Sequence, residues 1–254
     1  MTKIVFISGA SSGIGRAAAQ CLAAGGYDLI LAARRAGRLQ ELSEELKAGY
    51  GIRVLPLSLD VMDQDAVREL VGSLPEEWQA VDVLVNNAGL ALGMGPLWEG
   101  DEKDWDQMIG TNIKGLLCLS KAIIPGMIAR KSGHVINIGS IAGKQAYING
   151  NVYCATKAAV DALSRSMRME LLPYGIKVSQ LAPGAVETEF SEVRFKGDRE
   201  RATKVYRGYE PLKAEDVAAA LEYIIRCPPH VCVNDLLLMP TAQADAVHWN
   251  KKNP

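Results

Sequence analysis

Short apolar runs alternate along this chain with segments whose apolar side chains recur at helical spacing. The runs predict strands, and the intervening segments predict amphipathic helices. Such alternation over the whole length is typical of one parallel sheet covered by helices on both faces. We therefore expect an α/β protein, a single doubly wound domain over residues 1–254, with strands near residues 3–8, 27–33, 52–58, 81–85, 134–138, 176–181 and 231–239.

The segments between the strands differ in how clearly the sequence defines them. Leucines at helical spacing from Leu39 to Leu46 mark one helix, and Pro125 is expected to bend a long helix over residues 102–130. Residues 186–211 are polar and charged with little apolar periodicity, so we expect a loop, or flap, over a site. The remaining predicted helices end near residue 24 or span residues 63–74, 151–172 and 214–226.

Glycines or polar residues follow nearly every predicted strand. The carboxyl ends of parallel strands share one edge of a sheet, and ligands bind beyond that edge where the strand order reverses. We therefore expect these residues to meet at one site. They are Gly9 to Gly15, Arg34 and Arg35, Asp60, Asn86 and Asn87, Ser140, and Pro183 and Gly184.

The glycine turn after the first strand is suited to a pyrophosphate. Gly9, Gly13 and Gly15 permit positive φ and close backbone approach, so phosphate oxygens can reach the free amides of the next helix. The spacing is Gly-x-x-x-Gly-x-Gly, not the commoner Gly-x-Gly-x-x-Gly, but it lies where a dinucleotide turn belongs. The turn predicts a Rossmann fold with a phosphate site that includes Ser11, Ser12 and Ile14.

The end of the second strand indicates which dinucleotide binds. A site selective for NAD places a carboxylate there for the ribose hydroxyls, whereas this chain offers Arg34 and Arg35. Two guanidinium groups can hold a 2′-phosphate by charge-assisted hydrogen bonds. Arginines at a helix N-terminus also oppose the helix dipole, which favours a counter-anion over a merely solvated helix start. We expect NADP (NADPH).

Tyr153 and Lys157 lie on one face of the predicted helix over residues 151–172. Free tyrosine has a pKa of about 10, whereas a base that works near neutrality needs a pKa of about 7. Closing that gap takes about 4 kcal/mol, which a positive charge about 4 Å away supplies at an effective dielectric constant of about 20. The pair is a candidate general acid/base, although a tyrosine and a lysine at this spacing also occur on ordinary helices.

Composition and charge exclude several kinds of partner. The chain of 254 residues is 48% hydrophobic and 22% charged, with a formal net charge of −1, which argues against nucleic acid or an anionic membrane surface. The N-terminus lacks the features of a signal peptide, and no apolar run approaches the roughly 20 residues of a membrane span. We expect a cytoplasmic protein with no nucleic-acid and no membrane partner.

The cysteines point to free thiols. Five of them are scattered along the chain, an odd number that suits a reducing compartment. Cys227, His230 and Cys232 form the one suggestive cluster, but no further ligands follow at a suitable spacing. We expect no metal.

Together these motifs resemble the one-domain type of the short-chain dehydrogenase/reductase family, over nearly the whole chain. The resemblance implies that Ser140 orients the substrate oxygen and that Tyr153 is the general acid/base. It implies that Lys157 lowers the tyrosine pKa and holds the nicotinamide ribose, and that Asn112 anchors a water linking Lys157 to solvent. The matching motifs are the glycine turn, Asn86-Asn87-Ala88-Gly89, Asn112, Ser140, Tyr153-x-x-x-Lys157 and Pro183-Gly184.

The same resemblance implies the remaining cofactor contacts. Asp60 and Val61 would contact the adenine and Asn87 the adjoining ribose, while residues 183–188 would reach the nicotinamide carboxamide. Ser8 stands where the family usually has threonine, which keeps the hydroxyl. The implied cofactor residues beyond those already given are Ala88, Gly89, Pro183, Gly184, Val186 and Thr188.

Further segments are similar to the NADP-dependent 3-hydroxy acid dehydrogenases, a group that includes the serine and L-allo-threonine dehydrogenases. The similarity implies oxidation of the 3-hydroxyl of a small 3-hydroxy acid, and a homotetramer. The segments are Leu74-Pro75-x-Glu77-Trp78, the run from Asn87 to Met94, Gly150-Asn151-Val152-Tyr153, and the run from Thr188 to Asp198.

A carboxylate substrate needs a cation near the nicotinamide, and Arg194 and Lys196 in the flap are the best candidates, although both could equally be solvated. Two alternatives remain open. A general carbonyl or 3-oxoacyl reductase would want a basic patch for an acidic carrier, for which Arg199, Arg201 and Lys204 are available. A non-catalytic NADP-binding subunit would be expected to lack Tyr153 or Lys157, and both are present.

Overall fold

Seven parallel strands form one sheet in the computed structural model, which describes residues 2–252. The strands are β1 (Ile4–Ser8), β2 (Asp28–Ala33), β3 (Val54–Ser58), β4 (Val81–Asn86), β5 (His134–Ile138), β6 (Lys177–Pro183) and, after two short strands in the flap, β9 (Asp235–Leu238). Their order is β3-β2-β1-β4-β5-β6-β9. The expected doubly wound α/β fold is confirmed, and the last strand covers only part of the predicted run over residues 231–239.

Helices cover both faces of the sheet, which is why the strands are apolar without alternation. Val5 and Ile7 pack in one core, which also holds apolar residues of α1, α2 and α9. Ile4 and Phe6 pack in a second core with residues of α3, α5 and α6. The helices are α1 (Gly13–Ala24), α2 (Ala36–Tyr50), α3 (Gln64–Gly72), α4 (Glu102–Ile109), α5 (Leu116–Arg130), α6 (Asn151–Leu171), α7 (Phe190–Arg194), α8 (Arg199–Lys204) and α9 (Ala214–Arg226).

The strand order reverses between β1 and β4. From β1 the chain builds outward through β2 and β3, then crosses back and builds through β4, β5, β6 and β9 on the other side. The glycine turn after β1 and the segment after β4 therefore flank a crevice at the carboxyl edge of the sheet. That is where such folds bind their ligands.

The long helix expected over residues 102–130 is interrupted early, not at its proline. A six-residue π-helical segment, Gly110–Gly115, joins α4 to α5, and Pro125 remains inside α5. The wider π turn moves the side chains of α4 and α5 out of a common register. Asn112 lies within this segment and is turned into the protein, where it is 2% exposed.

The same helical stretch contradicts the expectation that no segment could cross a bilayer. Glu102–Arg130 is 29 residues long and, by length and composition alone, would pass for a membrane span. Here it lies on the sheet, and Leu116, Leu119 and Ile123 are buried against β4 and α3. A core helix of a soluble protein meets the same criterion, so the segment is no argument for a membrane.

The flap over residues 186–211 is more ordered than its polar sequence suggested. Two short strands, β7 (Val186–Glu187) and β8 (Leu212–Lys213), pair in parallel and close its base. Helices α7 and α8 lie between them, so the segment expected as a loop, or flap, over a site contains two short helices. Short helices with one contact face carry little apolar periodicity, which is why the pattern missed them.

The cysteine and histidine cluster does not form a metal centre. Within residues 2–252 no group of three or more histidine, cysteine or acidic side chains is arranged to hold a metal ion. The thiol of Cys227 donates to the carbonyl of Tyr223 at 3.3 Å, and that of Cys232 to the carbonyl of Val178 at 3.6 Å. Their role there is structural.

Candidate active site

A cleft of about 350 Å³ lies beyond the carboxyl ends of the strands, between the glycine turn and the flap. The structure brings together in its walls nearly all the residues that the sequence assigned to a cofactor. They are Gly9, Ser11, Ser12, Gly13, Ile14, Arg34, Arg35, Asp60, Val61, Asn87, Ala88, Gly89, Tyr153, Lys157, Pro183, Gly184, Val186 and Thr188, together with Ser140.

Gly15 is the exception, because it supports the cleft from behind. A Cβ at this position would lie 2.3 Å from the carbonyl oxygen of Gly9 and 2.5 Å from the amide nitrogen of Asn87. Gly9 and Gly13 adopt positive φ values of 68° and 51°, which side-chain-bearing residues rarely adopt. The turn thus depends on glycine at each position, and it exposes the N-terminus of α1 to the cleft.

Ser8 and Asn87 fix this turn against the end of β4. The Ser8 hydroxyl accepts hydrogen bonds from the backbone amides of Asn87 and Ala88 at 3.1 and 3.0 Å. The Asn87 side-chain amide donates to the carbonyls of Ser8 and Gly9 at 2.9 and 3.2 Å. That nitrogen is therefore committed to the turn, and Asn87 contributes to the cleft through the rest of its side chain and its backbone.

Arg35 is held in place by the glycine turn. Its Nε donates to the Ser11 hydroxyl at 3.1 Å, and its Nη2 donates to the Ser12 hydroxyl at 2.5 Å. Arg34 lines the cleft beside it. The guanidinium groups and the two hydroxyls therefore surround one corner of the cleft at the end of β2, as the predicted 2′-phosphate site requires.

Two residues that the sequence did not single out are connected to this corner; Glu189 lines the cleft, whereas Arg38 contacts it only through Glu189. Glu189 in the flap pairs with Arg35 at 2.9 Å and with Arg38 at 2.8 Å. Arg38 follows Arg35 by about one turn of α2, a spacing that could have revealed it. Glu189 adjoins the predicted Thr188, but only the folding of the flap brings it to α2.

NADP fits the residues present. The glycine turn leaves no room for a Cβ at Gly9 or Gly15 and presents backbone amides to a pyrophosphate, and the corner at the end of β2 supplies guanidinium groups for a 2′-phosphate. Tyr153, Lys157 and Ser140 lie at the other end of the same cleft. One dinucleotide can therefore span from the arginines to the candidate catalytic residues.

Tyr153 is buried at the junction of the cofactor cleft and a second cavity. Its ring packs against Phe190 of the flap with centroids 5.6 Å apart. Burial raises the pKa of Tyr153 above its ordinary value, a nearby Tyr147 raises it further, and hydrogen bonding with Ser140 and the charge of Arg194 lower it. The Ser140 hydroxyl also accepts a hydrogen bond from the amide of Ala142 at 3.1 Å, which fixes its orientation.

Lys157 lies beside the Tyr153 ring. Its Nζ lies 6.0 Å from the centre of that ring and donates to the carbonyl of Ile138 at 2.8 Å. Burial lowers the pKa of Lys157 to about 8. Because the pKa of Tyr153 stays above its ordinary value, this ammonium alone does not bring the tyrosine pKa to neutrality.

Asn112 does not line the cleft, but its hydrogen bonds stabilise the segments around the cleft. Its Oδ1 accepts from the Leu90 amide at 2.9 Å, and its Nδ2 donates to the Leu90 carbonyl at 2.8 Å and to the Thr156 hydroxyl at 3.0 Å. These bonds tie the π segment to the loop after β4 and to α6. The water link to Lys157 stays a prediction.

A second cavity, of about 280 Å³, opens on the other side of Tyr153 and reaches Arg194 and Lys196. The Arg194 guanidinium lies 5.5 Å from the centre of the Tyr153 ring and 5.6 Å from that of Tyr147. Its Nε donates to the Gly93 carbonyl at 3.3 Å, whereas its buried Nη2 has no hydrogen-bond partner among residues 2–252. A buried donor without a partner beside the candidate catalytic residue suits a carboxylate ligand.

Lys196 faces two acidic residues. Its ammonium lies 2.9 Å from Asp104 and 3.7 Å from Asp101, at the start of α4. Already neutralised by these carboxylates, Lys196 anchors the flap to α4. Because Lys196 also lines the second cavity, its part in binding the substrate carboxylate stays a prediction.

The basic residues of α8 are also engaged. Lys204 pairs with Glu200 at 2.7 Å, and Arg199 lies 3.8 Å from Glu192. The Arg201 guanidinium lies over the Phe195 ring at 4.6 Å. Their charges are balanced or covered within the flap, which weakens the case for an acyl-carrier surface there.

Comparison with known proteins agrees with this geometry. A family model described as short chain dehydrogenase matches residues 3–199. An NADP-dependent 3-hydroxy acid dehydrogenase of Salmonella typhi is 44% identical over 244 residues, covering 96% of this chain and 97% of that protein. A protein of the same description from Schizosaccharomyces pombe is 40% identical over 251 residues, covering 98% of this chain and 97% of that one.

A solved structure is also similar to this chain over nearly its whole length. The closed form of a serine dehydrogenase complexed with NADP⁺ superimposes with a TM-score of 0.91 at 43% identity, covering 99% of this chain and 100% of that one. The similarity thus extends over the sheet, both helical layers and the flap.

Proposed function

This chain belongs to the short-chain dehydrogenase family, and from that premise we propose that it oxidises the 3-hydroxyl of small 3-hydroxy acids such as L-serine or L-allo-threonine, with NADP as cofactor. It is an NADP-dependent oxidoreductase that acts on CH–OH groups. Relatives named for 3-hydroxy acids and for serine support this substrate class.

The observation that carries the proposal is the unpartnered nitrogen of Arg194. The guanidinium lies over the Tyr153 ring, and its buried Nη2 lacks a hydrogen-bond partner in the part of the chain that the structure describes. A carboxylate bound there would satisfy this donor through a charge-assisted hydrogen bond. A substrate with its carboxylate on Arg194 would reach Tyr153 and Ser140 with an oxygen a few atoms farther along.

The chemistry divides between the cofactor and the chain. The bound nicotinamide accepts or supplies the hydride. The Tyr153 oxygen takes the proton from the 3-hydroxyl during oxidation and returns it during reduction, and Ser140 orients the substrate oxygen by a hydrogen bond. Lys157 adds positive charge to the site and is placed to hold the nicotinamide ribose. Phe190 packs on Tyr153 and shields it from water.

Removal of the proposed acid/base and of the proposed carboxylate anchor should have different signatures. We expect Tyr153→Phe to lower kcat for serine oxidation by about 10²- to 10⁴-fold, because general acid/base catalysis contributes about that much.

We expect Arg194→Ala to raise KM for 3-hydroxy acids by about 10- to 100-fold, because it removes one hydrogen bond to a charged group, and to leave KM for uncharged alcohols nearly unaffected. The measurement is NADPH formation at 340 nm over a panel of both substrate types.

Lys196→Ala is the matched control, because it removes a flap cation that is already paired with Asp104. It should change KM for charged and uncharged substrates alike. Equal effects of Arg194→Ala on both substrate types would refute the carboxylate assignment. Normal turnover by Tyr153→Phe would refute the proton-transfer assignment, whereas a wild type that binds NADP but forms no NADPH with any substrate would reopen the non-catalytic alternative.

We further propose a homotetramer in the cytoplasm. The near-neutral charge and free cysteines support that compartment, and apolar side chains on the outer surface of α5 and α6 support subunit packing. A general carbonyl or 3-oxoacyl reductase remains the runner-up. It would accept uncharged ketones as efficiently as 3-oxo acids in the same substrate panel.

A further inference from the structure

The flap places a carboxylate among the guanidinium groups assigned to the 2′-phosphate. Glu189 accepts from Nη1 of Arg35 at 2.9 Å and, with both of its oxygens, from Nη1 of Arg38 at 2.8 and 3.1 Å. All three side chains are a little under half exposed, so the cluster lies at the mouth of the cleft. An anion already occupies the position where these two arginines face each other.

Arg35 has little freedom to serve two anions at once. Ser11 and Ser12 hold its Nε and Nη2, so its orientation is fixed and Nη1 is directed at Glu189. A phosphate that approached the serines and Arg35 would meet a negative charge about 3 Å from the same guanidinium. The two anions would repel each other while competing for the same N–H groups.

The carboxylate is ionised under ordinary conditions. Hydrogen bonding from Arg35 and then from Arg38 lowers the pKa of Glu189 below its usual value. The electrostatic competition therefore persists through the neutral range and cannot be relieved by protonation near pH 7.

We propose that Glu189 competes with the 2′-phosphate of NADP for Arg35 and Arg38, and thereby weakens NADP binding relative to NAD and speeds its release. The proposal rests on the NADP dependence of the proposed function but not on the identity of the substrate. When the phosphate binds to the arginines, the Glu189 side chain loses its hydrogen bonds to them.

The position of Glu189 in the flap links this exchange to the rest of the site. It directly precedes α7, which carries Phe190 against Tyr153 and ends at Arg194. The preceding Thr188 lies 3.4 Å from where a Cβ of Gly13 would be. Release of Glu189 by the phosphate thus frees the flap end that contacts the phosphate turn.

The test is a binding titration in the absence of substrate. Dissociation constants for NADPH and NADH are measured by protein-to-nicotinamide energy transfer on wild type and Glu189→Gln, with release rates by stopped flow. We expect Glu189→Gln to bind NADPH about two- to five-fold more tightly and release it more slowly, the range expected for loss of a partly exposed ion pair. NADH affinity should change by less than the measurement error, so the NADPH/NADH ratio rises.

Glu192→Gln is the matched control, because Glu192 lies three residues farther along, inside α7, has the same 46% side-chain exposure as Glu189 and pairs only loosely, at 3.8 Å, with Arg199. The ratio of NADPH affinity to NADH affinity in Glu192→Gln should equal that of the wild type. Glu189→Asp keeps the charge with a shorter reach and should fall between wild type and Glu189→Gln. Salt should reduce the difference between wild type and Glu189→Gln, since it screens exposed charges.

Two outcomes would overturn the proposal. Equal weakening of NADPH and NADH in Glu189→Gln would mean that the ion pair closes the flap over either nucleotide. Unchanged affinities for both would mean that the pair has no part in binding. A wild type that binds neither nucleotide would instead defeat the proposed function itself, which keeps the two failures apart.

Discussion

At the scale of single residues, Tyr153 is the side chain whose environment conflicts most with its proposed task. Burial raises its pKa, and the Lys157 ammonium, 6.0 Å from the centre of the ring, does not bring that pKa back to neutrality. Ser140 and Arg194 both favour the phenolate, yet the raised pKa persists. A further positive charge is needed near the phenol before it can accept a proton, and the oxidised nicotinamide supplies one in the proposed complex.

The ionisation of Tyr153 should therefore depend on the redox state of the cofactor. We expect bound NADP⁺ to lower the pKa of Tyr153 relative to that of the free protein. The pKa falls because a positive neighbour favours the charged phenolate. The measurement is the tyrosinate absorbance of wild type minus Tyr153→Phe during a pH titration.

NADPH provides the internal control for this experiment, since its dihydronicotinamide ring is neutral while its phosphates are the same. It should leave the Tyr153 pKa close to that of the free protein. Equal shifts with NADP⁺ and NADPH would contradict the explanation, because they would trace the effect to the phosphates or to the flap.

At the scale of elements, a buried polar network aligns two helices with the centre of the sheet. Asn137 of β5 accepts a hydrogen bond from Asn86 of β4 at 2.9 Å and donates one to Ser164 of α6 at 2.9 Å. Asn86 also donates to Ser120 of α5 at 3.0 Å. The network lies beneath the carboxyl edge, so it sets where α6 carries Tyr153 relative to Ser140 after β5.

Removal of the Asn137 side-chain amide, at the centre of this network, should lower the stability of the protein. We expect Asn137→Ala to lower the free energy of unfolding by about 2 to 4 kcal/mol, because it leaves a buried N–H of Asn86 and a buried acceptor site of the Ser164 hydroxyl without partners. Equilibrium unfolding in urea measures the change. Gln40→Ala, which removes an exposed side-chain pair with Glu44, should cost less than about 0.5 kcal/mol. Similar losses in the two variants would show that the network contributes little.

At the scale of the whole molecule, the layer formed by α4, α5 and α6 leaves apolar side chains at the surface. Leu117 of α5 is 39% exposed and Met169 of α6 is 71% exposed. The window that resembles a membrane span is only 39% buried. A second copy of the chain would cover this apolar surface without any membrane, which supports the proposed homotetramer.

Light scattering coupled to gel filtration tests this assembly. We expect a four-chain mass for the wild type and a smaller species for the double variant Leu117→Glu and Met169→Glu, because charges in an apolar interface are not solvated. Tyr223→Glu on α9 is the control; this residue is 60% exposed in the opposite helical layer. A monomeric wild type, or an unchanged mass in the double variant, would contradict the proposal.

The fold and the positions of most site residues follow from local sequence. A buried parallel sheet needs continuous apolar runs, and a phosphate turn needs glycine where φ is positive or a backbone passes close by, as at Gly9, Gly13 and Gly15. These constraints act over a few residues, so they are visible in the chain as written. The relative order of strands then follows from the handedness of βαβ units, which brings their carboxyl ends to one edge.

Contacts between residues that are distant in sequence were decided only by the tertiary structure. Glu189 meets Arg35 and Arg38, Lys196 meets Asp104, and Arg194 lies over Tyr153 because the flap folds across the cleft. The same packing buries Tyr153 and holds Lys157 on the carbonyl of Ile138. Charge and desolvation act through space, so the sequence by itself determined which groups are present, whereas the fold decided their distances and hence their protonation and their partners.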